Sequence, residues 1–168
     1  MKIAILGHSG SGKSTLARKL GEKYNLPVLH FDTIQFLPGW VETDRPYKRE
    51  KVTEFLDANP EGWVMDGNYF KICAERRFAE ADRILYLDFP VWICLPRVFK
   101  RWFTYRGQTR PDMGAGCPEK VDWAFLNWVV RDGRAPEKKA QFEAIGQQYP
   151  EKFLHIKSPR QLEKELDL

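Results

Sequence analysis

The stretch that decides the fold of this chain lies near its N-terminus and reads Gly7-His8-Ser9-Gly10-Ser11-Gly12-Lys13-Ser14. It matches in full the pattern G-x-x-x-x-G-K-[ST] of phosphate-binding loops. Glycine at the fixed positions permits positive φ angles and lets backbone N–H groups approach phosphate oxygens that a side chain would block. The motif therefore predicts a nucleoside triphosphate site between a strand and a helix.

Each end of the loop predicts a contact with a triphosphate. Lys13 would place its charge on the β- and γ-phosphates, and the Ser14 hydroxyl can ligate Mg²⁺. The helix that begins there points its N-terminal N–H groups at the anion. We therefore predict ATP and Mg²⁺ as cofactors. The predicted nucleotide-binding residues of the loop are Gly7, Ser9, Gly10, Ser11, Gly12, Lys13, Ser14 and Thr15.

Short apolar runs alternate with helical patterns along the chain, and the runs are brief enough to be strands buried on both faces of a parallel sheet. They lie at residues 3–6, 28–31, 63–65, 84–87 and 153–156. Between them apolar residues recur at helical spacing, as at Leu16, Leu20 and Tyr24. This alternation predicts a three-layer α/β fold with a five-stranded parallel sheet, in one domain over residues 1–168.

Composition limits the classes of function. The chain has 168 residues, of which 43% are hydrophobic, and this fits one domain with a sizeable core. Its net charge of +4 is modest for a generic nucleic-acid binder and fits an anionic small substrate at least as well. Without a run of ~20 apolar residues no membrane span is expected. We expect a soluble cytoplasmic protein that is a monomer or a homodimer.

A second landmark is the stretch 63–69, where an apolar strand ends in Asp66 and Gly67. Open α/β sheets bind ligands at the carboxyl ends of their strands, so Asp66 is predicted to hold Mg²⁺ directly or through water. A turn-forming Asp-Gly pair is the alternative. Asp88 also ends a strand and is the rival metal ligand, but it leads straight into Pro90 and a basic helix.

Asp32 follows the second predicted strand, in the sequence His30-Phe31-Asp32. In small-molecule kinases a carboxylate at such a strand end can orient the acceptor hydroxyl or accept its proton. We predict this role for Asp32, with helix or turn capping as the alternative. Trp40 and Tyr69 either stack on an acceptor ring or belong to the core. His30 is expected to be a satisfied core or edge histidine, and His8 is assigned no chemistry.

Residues 106–118 contain three glycines and two prolines and few apolar residues. A loop of this length inside a compact domain is usually functional, and arginines flank it, so we predict a lid. The low apolar content predicts little buried surface and mobility in the absence of ligand. Arg106 and Arg110, at the start of the segment, are predicted to bind the nucleotide.

Arginines on both sides of this segment are candidates for binding the transferred phosphoryl group, because the planar guanidinium offers five donors that stay protonated. Arg97 and Arg101 precede the segment at helical spacing, and Arg131 follows it. Solvated surface arginines are the alternative for any one of them. The predicted catalytic residues are Lys13, Asp32, Arg97, Arg101 and Arg131.

Taken together, these stretches resemble one family. The glycine-rich loop, the strand ending in Asp32 with the following Leu37-Pro38-Gly39-Trp40, the stretch 63–69 and the segment 106–118 are similar to those of DNA topology modulation proteins. Those are adenylate-kinase-like P-loop proteins, and the resemblance covers nearly the whole chain. It implies a nucleotide-kinase fold with a five-stranded parallel sheet and a short Arg-rich lid.

The resemblance also implies roles for single residues. Asp66 resembles the Asp of the Asp-Gly pair of nucleotide kinases, and Arg97 and Arg101 resemble the pair that opens their lid. Arg131 and Arg134 resemble the pair that closes it, at a shorter spacing here.

These features favour a kinase that transfers the γ-phosphoryl group of ATP to a small acceptor, such as a nucleoside, a nucleotide or another hydroxyl compound. The alternative is a nucleotide-binding regulatory protein that acts on DNA topology with little or no phosphotransfer. Simple nucleoside triphosphate hydrolysis is a third possibility. The residues do not identify the acceptor.

Overall fold

The computed structural model describes residues 1–166 and shows an α/β fold with two sheets. The strands are β1 (Lys2–Gly7), β2 (Val28–His30), β3 (Phe36–Leu37), β4 (Val41–Glu42), β5 (Trp63–Asp66), β6 (Arg83–Leu87) and β7 (Phe153–Ile156). The helices are α1 (Lys13–Tyr24), α2 (Phe31–Gln35), α3 (Arg45–Ala58), α4 (Ala74–Glu80), α5 (Val91–Tyr105), α6 (Trp123–Val130), α7 (Pro136–Gln148) and α8 (Pro159–Leu166), with a 3-10 helix at Asp132–Arg134.

The main sheet confirms the predicted architecture. It has five strands in the order β2-β5-β1-β6-β7, and every neighbouring pair is parallel. All five predicted runs fall on these strands. One boundary differs: Phe31, predicted as the last strand residue, is the first residue of α2. The chain turns there because the Thr33 hydroxyl donates to the His30 carbonyl at 2.6 Å and closes a helical turn.

The two faces of the sheet are covered by different helices, which makes the three layers. Successive residues of β1 point to opposite faces, so Ala4 and Leu6 pack on one side and Ile3 and Ile5 on the other. The first side is covered by α3, α4 and α7 through Val52, Leu56, Phe78, Phe142 and Ile145. The second is covered by α1, α5 and α8 through Leu16, Ala17, Leu20, Cys94 and Leu166.

A small antiparallel hairpin, β3–β4, was not predicted. Its register pairs Phe36 with Glu42 and Leu37 with Val41. Strands of two residues carry too little periodicity to be recognised. The turn between them has Gly39 at φ 79° and Trp40 at φ 65°, both in the left-handed region.

The segment 106–118 packs against this hairpin, so the expectation that it buries little surface is wrong. Arg110, Asp112, Met113 and Cys117 are all buried. The backbone N–H of Gly114 donates to the Asp32 carbonyl at 3.3 Å, which joins the segment to α2. A Cβ at Gly114 would lie 2.1 Å from the Phe36 carbonyl oxygen. Here glycine permits close packing rather than mobility. A closing movement of the segment stays a prediction.

Within residues 1–166, no helix has the length and apolar character needed to cross a lipid bilayer.

Candidate active site

A cleft of about 1030 Å³ lies at the carboxyl ends of the parallel strands. Because β1 is central, the loop that follows it is flanked by the ends of β5 and β6, where open α/β sheets bind ligands. The cleft brings together most of the predicted residues: Ser9, Gly10, Ser11, Gly12, Lys13, Ser14, Thr15, Asp32, Asp66, Arg97, Arg101 and Arg110. Gly7, Arg106 and Arg131 are not among the residues that line it.

The loop 7–14 has the shape of a phosphate cradle. Gly10 and Gly12 adopt φ angles of 78° and 95°, in the left-handed region. A Cβ at Gly10 would lie 2.5 Å from the Cys94 carbonyl oxygen, so glycine is required there for conformation and for space. Helix α1 begins at Lys13, within the last two residues of the loop, so its unpaired N–H groups face the cleft.

Lys13 lies at the centre of the site. Its Nζ donates to the backbone carbonyl of His8 at 3.1 Å, so the side chain curls over the loop. Burial lowers the pKa of Lys13, and the charges of Asp66 and Asp32 partly offset this. A desolvated ammonium gains from hydrogen bonds and from a neighbouring negative charge, and a phosphate oxygen supplies both.

Asp66 and Ser14, predicted to share the metal, are in direct contact. The Ser14 hydroxyl donates to Oδ2 of Asp66 at 2.8 Å, and Oδ1 of Asp66 is hydrogen-bonded to Nδ1 of His30. Burial lowers the pKa of His30, but the hydrogen bond and charge of Asp66 outweigh it, and the net shift is upward. His30 therefore bonds to a carboxylate of the candidate site, Asp66, and holds it in a fixed orientation.

The oxygens of Ser14 and Asp66 are the hard ligands that Mg²⁺ prefers, and in phosphoryl-transfer sites substrate phosphates and water complete its shell. A dedicated cage of protein ligands is absent: residues 1–166 hold no cluster of three or more His, Cys, Asp or Glu suited to a metal. The Ser14–Asp66 pair offers two oxygen ligands to such an ion.

The rival carboxylate, Asp88, has other partners. Its Oδ1 is hydrogen-bonded to Nε2 of His8 at 3.1 Å and its Oδ2 to Nε2 of His155 at 2.9 Å. The hydrogen bond from His8, with that from His155, holds the pKa of Asp88 well below its usual range despite partial burial. Asp88 is not among the cleft-lining residues. The geometry thus favours Asp66 at the phosphate end of the cleft.

His8 has a role that the sequence analysis missed. Its side chain is 3% exposed and anchors the start of the loop to Asp88 at the end of β6. The phosphate-loop pattern leaves this position free, so the motif carried no signal for it.

Asn68 was also missed. Its side-chain amide accepts from the Gly7 N–H at 2.9 Å and donates to the Gly7 carbonyl at 2.7 Å. This two-way bond ties the chain after β5 to the start of the loop. The available signal was its position two residues after Asp66, beyond a strand end.

Asp32 lies opposite Lys13 in the cleft. The Tyr69 hydroxyl donates to its Oδ1 at 3.0 Å, and the Tyr69 ring stacks on Phe31 with centroids 4.8 Å apart. Burial raises the pKa of Asp32, and Lys13 opposes the shift. A carboxylate with a raised pKa, held by one oriented donor, has the character of a general base.

The predicted arginines divide into two groups. In the cleft, Arg97 donates to the Ser11 carbonyl at 3.0 Å, and Arg101 donates to Glu119 at 2.8 Å. Outside it, Arg106 is exposed and lies over the Trp102 ring at 5.1 Å, and Arg131 is exposed after the end of α6. The predicted roles of Arg106 and Arg131 therefore require a rearrangement and stay predictions.

Arg110 is buried between two carboxylates that the sequence analysis did not single out. It donates to Asp112 at 2.9 Å and forms an ion pair with Glu119 at 2.6 Å. Both carboxylates are buried and line the cleft. The pairing joins residues nine positions apart, so it becomes visible only once the segment is folded.

No protein-family model matches the chain, and no curated protein matches it. Solved structures do. A deoxyadenosine kinase from M. mycoides with bound dATP is 15% identical, with a TM-score of 0.52 over 99% of this chain and 98% of that one. A gluconokinase from Sinorhizobium meliloti 1021 is 17% identical, with a TM-score of 0.50 over 94% and 82%. A protein from Thermus thermophilus is 18% identical, with a TM-score of 0.55 over 99% and 94%.

The chain has a P-loop kinase fold. At these identities the likeness concerns the fold and not the substrate. The resemblance to DNA topology modulation proteins stays a prediction.

Proposed function

We propose that this protein is an ATP-dependent kinase that transfers the γ-phosphoryl group to the hydroxyl of a small acceptor. The observation that carries the proposal is the contact between Ser14 and Asp66 at one end of a cleft whose centre holds Lys13 and Asp32. This arrangement supplies a cation for the phosphates, oxygen ligands for Mg²⁺ and a candidate base for the acceptor. The kinase fold of the structural neighbours supports the same reading.

Each residue has a proposed task in the reaction. The loop N–H groups and Lys13 bind the β- and γ-phosphates, and Arg97 and Arg101 lie within the cleft to stabilise the transferred group. The acceptor oxygen attacks the γ-phosphorus, its proton passes to Asp32, and the bond to the bridging oxygen breaks to release ADP. Tyr69 orients Asp32 throughout. Mg²⁺, held through Ser14 and Asp66, would offset charge on the β- and γ-phosphates.

The alternative, a regulatory protein that acts on DNA topology, rests on the sequence resemblance alone. It would require a basic surface outside the cleft and a steep loss of DNA affinity with salt. We propose no such activity, because the arginines that converge in this fold line the cleft.

The test of the proposal is Lys13→Ala. Deleting one preorganised charge-stabilising group costs roughly 10²-fold or more in turnover, and ADP release from ATP with a panel of hydroxyl acceptors would measure it. Lys138→Ala, on the exposed side of α7, removes the same charge far from the cleft and is the matched control. A folded Lys13→Ala protein with unchanged ADP release would refute the proposal.

A further inference from the structure

The cleft has two halves of different character. One half is formed by the glycine-rich loop, α5 and the start of α8, and its charged lining includes Lys13, Arg97 and Lys100. The other is formed by the β3–β4 hairpin and the segment that follows α5, and we call it the acceptor half. Its lining residues are Asp32, Phe36, Trp40, Tyr69, Arg110, Asp112, Met113, Glu119 and Lys120.

The acceptor half is rich in carboxylates, and the arginines beside them already form ion pairs. Asp112 and Glu119 are 7% and 6% exposed, and both bind the buried Arg110. Glu119 also accepts from Arg101 across the cleft. Three carboxylates, with Asp32, therefore face two guanidinium groups, and Asp32 has no arginine partner among these contacts.

The remaining cation of this half is Lys120, which is exposed. Its Nζ lies over the Trp40 ring at 5.3 Å and 3.9 Å from a carboxylate oxygen of Asp122. A solvated ammonium in such a place contributes little binding energy to an anion. Within residues 1–166, then, the buried cation of the acceptor half, Arg110, is already paired with two carboxylates.

An anion at Arg110 would compete with Asp112 and Glu119 for this guanidinium and would lie beside both of their negative charges. Weakening these buried ion pairs is unfavourable. The like charges of Asp32 and of the bound triphosphate would oppose the anion further. Hydroxyl or ammonium groups, in contrast, donate to these carboxylates, and Phe36 and Trp40 offer an apolar wall for a ring or sugar face.

We infer that the acceptor is an uncharged or positively charged hydroxyl compound, and that the acceptor half rejects phosphorylated and carboxylated compounds. This inference deepens the proposed function and rests on it. In the transfer step the acceptor O–H loses its proton to Asp32 and gains the phosphoryl group, so the product carries new negative charge. The carboxylates that reject anionic acceptors therefore also favour release of the product.

The first test uses matched pairs of acceptors that share a scaffold and differ by an anionic group. Adenosine with AMP, glucose with glucose 6-phosphate, and sorbitol with gluconate are such pairs, and glucosamine adds a cationic member. ADP release should give a kcat/KM at least about tenfold higher for the non-anionic member of any pair that reacts. A phosphomonoester or gluconate as the best acceptor would overturn the inference.

The second test changes the carboxylates. In Glu119→Gln and Asp112→Asn, the ratio of kcat/KM between the members of a pair should fall by about tenfold, because Arg110 is released to bind an anion. If the carboxylates had a purely structural role, the substitutions would lower kcat/KM equally for both members of a pair. An unchanged ratio would therefore contradict the inference. The ratio does not depend on the folded fraction. Glu54→Gln, exposed on α3, is the control for the same change of charge.

A third measurement does not depend on turnover. Inorganic phosphate is titrated onto the free protein and onto protein loaded with Mg²⁺ and a non-hydrolysable ATP analogue, with tryptophan fluorescence as the signal. In the loaded protein we expect phosphate to cause no change in fluorescence that depends on Trp40. Saturable quenching that depends on Trp40 in either state would overturn the inference. Failure of the analogue to bind would instead refute the proposed function.

Discussion

Two strand ends flank the glycine-rich loop and look alike in sequence, yet they are built for different purposes. Strands β5 and β6 both pair with β1. Asp66 is the last residue of β5, and Asp88 directly follows β6. Asp66 lines the cleft and bonds to Ser14 of the loop. Asp88 lies outside the cleft lining and bonds to His8 and His155.

The difference shows that the role of a carboxylate depends on the groups that surround it. Asp66 faces a hydroxyl that can turn to a metal, in a cleft large enough for a nucleotide. Asp88 is bonded to two imidazoles, lies outside the cleft lining and, through His8, supports the loop. The first should therefore matter for turnover and the second for stability.

The largest effect should come from Asp66→Asn. Loss of the charge that we propose to hold Mg²⁺ should lower kcat/KM roughly 10²-fold or more and raise the Mg²⁺ concentration needed for half-maximal rate. Asp88→Asn should change kcat less than about tenfold. Asp57→Asn, exposed on α3, is the control for the same substitution. If Asp88→Asn alone changed the Mg²⁺ dependence, the comparison would be reversed.

Asp32→Asn should separate turnover from stability. Removing the proposed base should cost roughly 10²-fold in kcat, whereas the melting temperature should rise at neutral pH. Burial raises the pKa of Asp32, so its ionised form destabilises the fold. That cost is absent below the usual carboxyl pKa and grows as pH rises through the raised pKa. A lower melting temperature at pH 7 would show that the carboxylate is a net structural partner.

Asp88→Asn should do the opposite and destabilise the protein by about 1.5–3 kcal/mol, the range for hydrogen bonds to a charged group. The pKa of Asp88 is depressed in the folded state, so its contribution is fully present above the unfolded carboxyl pKa of about 4. It is lost as pH falls towards the folded pKa. Urea unfolding of both proteins between pH 7 and pH 3 should show the difference shrinking with acid. A constant difference would mean that the charge is not involved.

The smallest effects should come from the two histidines. The side chain of His155 is 39% exposed, so its pair with Asp88 should be worth about 0–1 kcal/mol, as for surface ion pairs. His8 is buried in the loop, so His8→Gln should destabilise more and should raise the KM for ATP. Equal effects on unfolding, with the KM unchanged in both variants, would show that Asp88 does not support the loop.

Features that depend only on a short stretch of sequence were predicted correctly. The five strands were recognised because each is an apolar run between helical patterns, although the edge strands β2 and β7 are only partly buried and not buried on both faces as expected. Ser14 and Asp66, predicted to share Mg²⁺, lie in contact at the same edge of the sheet, and the shared metal stays a prediction.

Features that depend on which distant residues meet could not be predicted. Glycines in the segment 106–118 suggested mobility, whereas Gly114 allows the segment to pack against the hairpin. Arg110 was predicted to bind the nucleotide, and its ion pairs with Asp112 and Glu119 were not foreseen. Its role at the nucleotide stays a prediction.

The sequence alone therefore determined the phosphate-binding loop, the parallel sheet around it and the lysine at its centre. These features depend on residues that are close together in the chain, such as the glycines of the loop and the apolar runs of the strands. Only the tertiary structure decided which aspartate faces the cleft, which histidine supports the loop and which arginines are already paired. Those outcomes depend on distances between groups far apart in the chain, and electrostatic energies change steeply with distance and burial.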